Sequence, residues 1–441
     1  MISLLFFTSM LSAHYDACTE QIQNHVGQHL QADVQEIART ISDHRQPTEK
    51  RVRTIRTKTN EITLFYPVNH GDWFIAVIRK AFLGQGAHKK INLGFIVNCT
   101  KQIVAPLAAH DIISNTEEPV SQAAEDAWNN EIQIIRIIED QRKINPESVK
   151  NIIESYIFIP EKFLLSSTHY FPFLFQRLCA FPYESQHPWA SGAAIPNDES
   201  LRQIVTSDKH SPPATATIKE ATNTAKQITH GLKAIHDLNI VHGDLKWQNI
   251  LATDALQIKI IDFGISSSLH HIVNTSNYEK IQNQTSITTE APEMSEIVPM
   301  NLPEFIAYTE KQIKKYTDCQ TSPLDRPNVL KRIIQARDVY AFGIMLASHY
   351  FPTNLATLQD ACIPLAPNSQ RPYTAAYQTC MQKMAYIIRE KINENCIQTC
   401  STRQDPQACL FEKIILSCLH PDPICRPEAK DLHQALEMIQ F

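Results

Sequence analysis

Glycine is scarce in this chain, ten residues among 441, so few points can take left-handed backbone or let another group approach the main chain closely. A basic excess is also missing. Lys and Arg number 41 against 46 Asp and Glu, a net charge of -5, which supplies no field for nucleic acid. No apolar run reaches the 18 or so residues that a membrane span needs. The first twelve residues are apolar, but no Lys or Arg precedes them and no Ala-x-Ala site follows, so they fit a buried helix turn better than a leader. With 20% charged residues the chain shows no sign of disorder. Eleven cysteines, an odd number, cannot all pair. They read as reduced thiols, which implies the cytoplasm, with secretion as the alternative that the apolar start keeps open.

Against this plain background one stretch stands out. Val241 to Leu251 reads Val-His-Gly-Asp-Leu-Lys-Trp-Gln-Asn-Ile-Leu, and Asp262 follows in Ile-Ile-Asp-Phe-Gly. Phosphoryl transfer needs one acceptor to orient a substrate hydroxyl, and oxygen ligands to hold Mg²⁺ against the phosphates of ATP. Asp244 suits the first task, Asn249 and Asp262 the second. Turn capping explains any one of these residues but not their joint spacing beside an apolar strand.

These motifs resemble the catalytic and metal loops of the protein kinase superfamily. Further matches come in the family's order: Ala291-Pro292-Glu293 is similar to the end of its activation segment, Asp338 to Gly343 to its buried anchoring helix, and Arg426-Pro427 to its late Arg-Pro. The resemblance covers roughly residues 70 to 441. It implies an α+β, bilobal fold with a small β-rich N-lobe and a larger, mainly helical C-lobe, and an ATP- and Mg²⁺-dependent Ser/Thr kinase acting on a protein substrate. It also implies a γ-phosphate contact for Lys246, a structural rather than acid-base role for His242, and a buried Arg426 to Glu293 ion pair. Glycine at 243 replaces the family's arginine, so control by phosphorylation of Thr275, Ser276, Tyr278, Thr285, Ser286, Thr288 or Thr289 is not expected. His-Gly-Asp also occurs in aminoglycoside and choline phosphotransferases, the runner-up activity. Lys246, Ala291-Pro292-Glu293 and the Asp338 helix favour a protein kinase over them.

Upstream, Leu83-Gly84-Gln85-Gly86-Ala87-His88-Lys89-Lys90-Ile91 resembles the loop that folds over ATP, with two of its three glycines. Ile103-Val104-Ala105-Pro106-Leu107 aligns with the third strand and puts Leu107 where the phosphate-holding lysine belongs. Lys89, at the third glycine, resembles the cation that with-no-lysine kinases supply from the second strand. Glu131 would then be the helix glutamate that orients it. The resemblance places Gly84, Gly86, Lys89, Ile91, Ala105 and Leu251 around the nucleotide. A unit charge ~4 Å from a phosphate oxygen is worth ~4 kcal/mol at an effective dielectric of 20. Without a substitute cation the chain would be a nucleotide-binding pseudokinase or scaffold.

The remaining organisation follows from periodicity. Residues 1–69 read as an N-terminal helical extension and basic linker. Ile22, Val26, Leu30, Val34, Ile37 and Ile41 form an amphipathic stripe that packs on the kinase or on a partner. Arg45, Lys50, Arg51, Arg53, Arg56 and Lys58 follow in a solvated strand or linker. The N-lobe runs to about 180, with a fifth strand and hinge over Phe171 to Cys179. The C-lobe occupies 181–441, with insertions near 181–213 and 294–337, the second holding a short helix over Pro303 to Tyr316. A scaffold helix carries Ile218, Ala221, Ala225, Ile228, Leu232 and Ile235, and a short amphipathic helix closes the chain. Seven cysteines lie between Cys362 and Cys425; without Cys-x-x-Cys pairs they read as buried thiols rather than zinc ligands.

Overall fold

The structure is a computed structural model that describes residues 19–24, 26, 34–44, 52–58, 60–66, 73–85, 89–98, 101, 103–112, 122–158, 173–177, 181–182, 218–252, 257–269, 291–293, 302–317, 326–350, 375–402 and 405–440. The chain divides into two compact units, the first built from residues 1–132, 153–180 and 192–206 and the second from the rest. A β-rich first unit and a mainly helical second one give the α+β, two-lobed class expected from the motifs. Met1 to Ser12, Gly86, the activation-segment hydroxyls and residues 183–213 of the first insertion lie outside the described residues.

The first unit is organised by a seven-stranded antiparallel sheet. Its strands are β1 (Val52–Arg56), β2 (Glu61–Phe65), β3 (Phe74–Gln85), β4 (Lys89–Asn98), β5 (Ile103–Ile112), β6 (Ser155–Phe158) and β7 (Phe173–Arg177), in the order β1-β2-β3-β4-β5-β7-β6. Side chains alternate across a strand, and the alternation divides two cores. On one face Ile62, Leu64, Ala76, Ile78, Leu93, Phe95 and Val97 cluster; on the other lie Phe65, Ile75, Val77, Leu107 and Ala109. Burying one such Ile, Leu or Phe stabilises by roughly 1.5–3 kcal/mol.

Two expectations that the sequence left between alternatives are decided here. The basic segment contains a strand: β1 pairs with β2 from Val52↔Phe65 to Arg56↔Glu61, and β2 pairs with β3, so the hairpin joins the same sheet instead of linking to it. Its arginines hid the pattern, because β1 has an exposed edge and only Val52 and Ile55 turn inward. The N-terminal helical stripe also finds its partner within the chain. Ile22, Val26, and then Ile37, Ala38 and Ile41 of α1 (Val34–Asp43) are fully buried in the first core cluster, so these residues pack within the chain, while Leu30 lies outside the described residues.

Helix α2 (Gln122–Ile144) belongs to the first unit up to Ile132 and to the second beyond it. In the second unit, α3 (Ile218–Asp237) buries Ala221, Ala225, Ile228, Leu232 and Ile235, the stripe read from the sequence. Gly231 lets it sit against β9 (Ile258–Ile260), which pairs with β8 (Ile250–Ala252): a Cβ there would come 2.8 Å from Ile260 Cδ1 and 3.1 Å from the Asn151 carbonyl oxygen. After α4 (Leu302–Thr317), α5 (Arg326–Tyr350) runs through the interior, with 333–334 and 336–347 all buried, as a helix apolar on every side must be. Helices α6 (Ala375–Thr402), α7 (Pro406–Cys418) and α8 (Ala429–Glu437) complete the unit.

One pair of cysteines departs from the expectation of reduced thiols. Cys400 and Cys409 form a disulfide. Asp405 caps α7 by accepting from the amides of Gln407 and Ala408 at 2.9 and 3.0 Å, and this turn brings the two Cα atoms to 5.0 Å, within bridging range. Linear spacing did not reveal a contact made by two helix ends. A reducing compartment therefore cannot be inferred from cysteine usage. Cys396 keeps a free thiol, 3.7 Å from Cys400 Sγ.

Candidate active site

Asp338, on α5, organises the loop that carries the candidate chemistry. Its Oδ2 accepts from the His242 amide at 2.8 Å and faces His236 Nε2 at 3.0 Å, while Oδ1 accepts from the Gly243 amide at 2.9 Å. Burial pushes this carboxyl upward, but the hydrogen bond from His236, the charges of both histidines and the Gly243 amide outweigh that and hold it below its ordinary 3.8. His242 is buried: its Nε2 lies 2.9 Å from the Ile261 carbonyl, and its Nδ1 accepts the Asp244 amide at 3.3 Å. That bonding fixes the ring as a strut, as the resemblance implied.

Beyond His242 the backbone turns through Gly243, whose φ of +82° lies in the left-handed region that glycine tolerates. A Cβ there would also press within 3.2 Å of the Ile265 carbonyl. Arg337, unnoticed in the sequence, donates to the Gly243 carbonyl at 2.7 Å. Its position beside Asp338 is the signal that could have found it.

Asp244 then meets Lys246 and Asn249. Its Oδ2 accepts from Lys246 Nζ at 2.7 Å and Asn249 Nδ2 at 3.1 Å, and Asn249 Nδ2 also reaches the Asp244 carbonyl at 2.7 Å. The other carboxylate oxygen, Oδ1, is buried and accepts no hydrogen bond among the described residues. A buried acceptor without a donor is costly, about 1–3 kcal/mol, so this oxygen has capacity for a donor from outside the loop. The short helix Trp247–Asn249 is pinned by Trp247 Nε1 donating to the Met345 carbonyl at 3.2 Å, which gives that tryptophan a positioning role.

The strand leading to Asp262 is tied to the same loop, because the Ile261 amide donates to the Asn249 carbonyl at 3.0 Å. Asp262 has φ +66°, a strained setting for a residue with a side chain, and its Oδ1 accepts the Gly264 amide at a long 3.4 Å. These residues suit a small divalent cation: Asn249 turns its Nδ2 inward, leaving Oδ1 as the outward donor, and Asp262 adds a carboxylate, the hard oxygens Mg²⁺ takes. Leu251 lies next to them on β8 (Ile250–Ala252), half-exposed.

At the end of the matched motifs, Arg426 and Glu293 form the expected buried pair, bidentate at 2.5 and 2.7 Å. Arg426 also donates to the carbonyls of His420 and Ala336 and stacks 4.8 Å over the Tyr340 ring.

In the first unit the nucleotide-loop residues are placed less uniformly. Gly84 lies on β3 opposite Ile91, forming a hairpin with β4 whose tip, including Gly86, is outside the described residues. Glu131 is buried on α2. Ile91 pairs with His110 and Gly94 with Leu107, without interruption along β4 and β5. Hence Lys90, Asn92, Gly94 and Ile96 share the face of Ala105, Leu107 and Ala109, whereas Ile91, Leu93 and Phe95 take the other. Register position 89 has the parity of Ile91. The set read from the sequence is therefore split: Ile91 does not share a face with Ala105, and the lysine on the Leu107 side is Lys90. An alignment by loop spacing misses this because one residue of slip reverses every side chain.

Residues 194–294, which contain Asp244, Asn249, Asp262 and Glu293, match the protein kinase domain family. The serine/threonine/tyrosine-protein kinase HT1 of Arabidopsis thaliana is 26% identical over 186 residues, 42% of this chain and 37% of that protein. Serine/threonine-protein kinase mig-15 of Caenorhabditis elegans is 38% identical over 52 residues, 12% and 5% of the two chains. A probable serine/threonine-protein kinase, mkcE, of Dictyostelium discoideum is 40% identical over 63 residues, 14% and 9%. The chain thus spans well under half the length of these relatives. Among the described residues no helix is long and apolar enough to cross a membrane. The motifs and the matches together support a likeness to the eukaryotic-like protein kinase superfamily, carried by residues 194–294.

Proposed function

We propose that this chain is an ATP-dependent Ser/Thr protein kinase, and that its catalytic work is concentrated in the loop from His242 to Asn249. The observation that carries this reading is the buried, unpartnered Oδ1 of Asp244 beside a satisfied Oδ2. Asp244 accepts the hydrogen of a protein hydroxyl and aims its oxygen at the phosphoryl group. Lys246, 2.7 Å from Asp244, is near enough to neutralise charge on the transferred group. Asn249 and Asp262 would hold Mg²⁺, which would supply positive charge to neutralise the phosphates of ATP.

The missing third-strand cation is supplied from β4. Lys89 is the residue that loop spacing favours; Lys90 is the one whose register shares the Leu107 face. Glu131 orients that cation, and Gly84, Gly86, Ala105 and Leu251 contribute to nucleotide contact, a role that Ile91 does not share because it lies on the face opposite Ala105. Leu107 itself, 1% exposed in an apolar cluster, supports a second reading as a nucleotide-binding pseudokinase.

Incubation with labelled ATP and a mixed protein extract, beside an Asp244→Asn control, tests the reading. Mg²⁺-dependent labelling of protein that the substitution abolishes is expected. ATP-induced thermal stabilisation without labelling would favour the pseudokinase, and transfer only to small molecules would favour an aminoglycoside- or choline-kinase-like activity.

A further inference from the structure

The second unit holds a cavity of about 660 Å³ lined by Pro292 and Glu293, by Tyr308 and Gln312 of α4, by Tyr386 and Arg389 of α6, and by 419–423 and Cys425. That volume suits several side chains of a peptide. Its polar lining is unbalanced in a specific way. Among the described residues Arg389 has no hydrogen-bond or ion-pair partner, and its Nε is buried although the side chain as a whole is half-exposed. Gln312 Oε1 is likewise buried without a donor. Guanidinium groups removed from water are ordinarily paired.

The nearby charges do not answer Arg389. Glu293 is bound bidentately by Arg426, Asp422 accepts the Ile424 amide, and Glu390 on the same helix accepts from the Tyr386 hydroxyl at 2.8 Å. His420 is held below its usual value, first by burial and further by Arg389 itself, so at neutral pH it adds no positive charge. Rings of Tyr308 and Tyr386 and the prolines at 292, 421 and 423 provide apolar walls.

We propose that this cavity is a docking site for an acidic peptide segment of the substrate protein, whose carboxylate pairs with Arg389 and whose neighbouring backbone N–H donates to Gln312 Oε1. Both unsatisfied groups are then answered by one extended strand, an acceptor and a donor in succession. The forked guanidinium prefers a carboxylate that it can hold through two bonds. Two aromatic rings accommodate apolar residues on either side of the acid. The word substrate rests on the kinase reading; the peptide chemistry does not.

The test is capture from two nine-residue peptide pools by the immobilised full chain, one pool with Glu and the other with Gln fixed at the centre and the remaining positions randomised. Wild-type protein should retain the Glu pool roughly tenfold over the Gln pool. Arg389→Gln should abolish that preference with an unchanged melting temperature, and Gln312→Leu should weaken retention of both pools. Equal retention of the pools by wild type, or an undiminished preference in Arg389→Gln, overturns the proposal. Repeating the capture on Asp244→Asn protein keeps docking apart from catalysis. Preference without any phosphotransfer would leave the site standing as the kinase reading falls, and phosphotransfer without preference would do the reverse.

Discussion

The two units keep the kinase pattern unequally. In the second, each motif residue is fixed by several partners: Asp338 holds two amides and a histidine, Asp244 holds Lys246 and Asn249, and Glu293 is clasped by Arg426. In the first, the resemblance rests on two of three loop glycines and meets Leu107 where it calls for a lysine, and the sheet carries the β1–β2 hairpin and a helical cover. The family match at residues 194–294 reaches the catalytic loop but not β3, β4 or β5. Chemistry that demands one geometry tolerates little drift. Nucleotide contact made by backbone and a single cation can be rebuilt from another strand.

The largest way to sharpen that contrast is Asp244→Asn, expected to lower phosphotransfer by about 10³- to 10⁴-fold while leaving the melting temperature and ATP binding in place. A steady-state assay beside an ATP titration checks it. Next comes Arg426→Met, which strands the Glu293 carboxylate in the interior and should cost about 3–5 kcal/mol in urea unfolding. The exposed Arg56 to Glu61 pair of the first unit should cost under about 1 kcal/mol in the same experiment. Lys90→Met and Lys89→Met decide the register question. Loss of about 10²- to 10³-fold in rate is expected from the Lys90 change alone; the same loss from Lys89→Met would restore the spacing-based assignment.

Smaller effects follow from the loop's supports. Gly243→Ala forces a side chain into left-handed backbone and should cost about 1–3 kcal/mol, read as a lower melting temperature. A pH effect comes last. Asp338 has a folded pKa below its ordinary 3.8, so it contributes stability that is fully present above that value and fades as pH falls through the lower folded one. His236→Ala removes a principal donor, so the acid limb of an unfolding profile should move toward pH 4.

Much of the second unit was legible because its chemistry lies in consecutive residues: Asp244, Lys246 and Asn249 are neighbours in sequence and in space. Asp338, Glu293 and Arg426 were found through resemblance, yet Arg337 and His236 were not, since their roles exist only across helices. The first unit was harder. Charged residues masked the alternation of β1, and the β4 to β5 register, which determines what Lys89 and Lys90 face, depends on a turn that no motif announces. The Cys400 to Cys409 bridge likewise required knowing how α7 turns back on α6.

The added hairpin makes β1 the outer rim of the seven-stranded sheet, and that rim carries Arg53 and Arg56 exposed to water. An unpaired strand is an invitation for another chain to stack on through its free amides and carbonyls, and cationic side chains along it repel a second copy. The basic segment, read from the sequence as a solvated strand or linker, thus guards the sheet against growing by accretion.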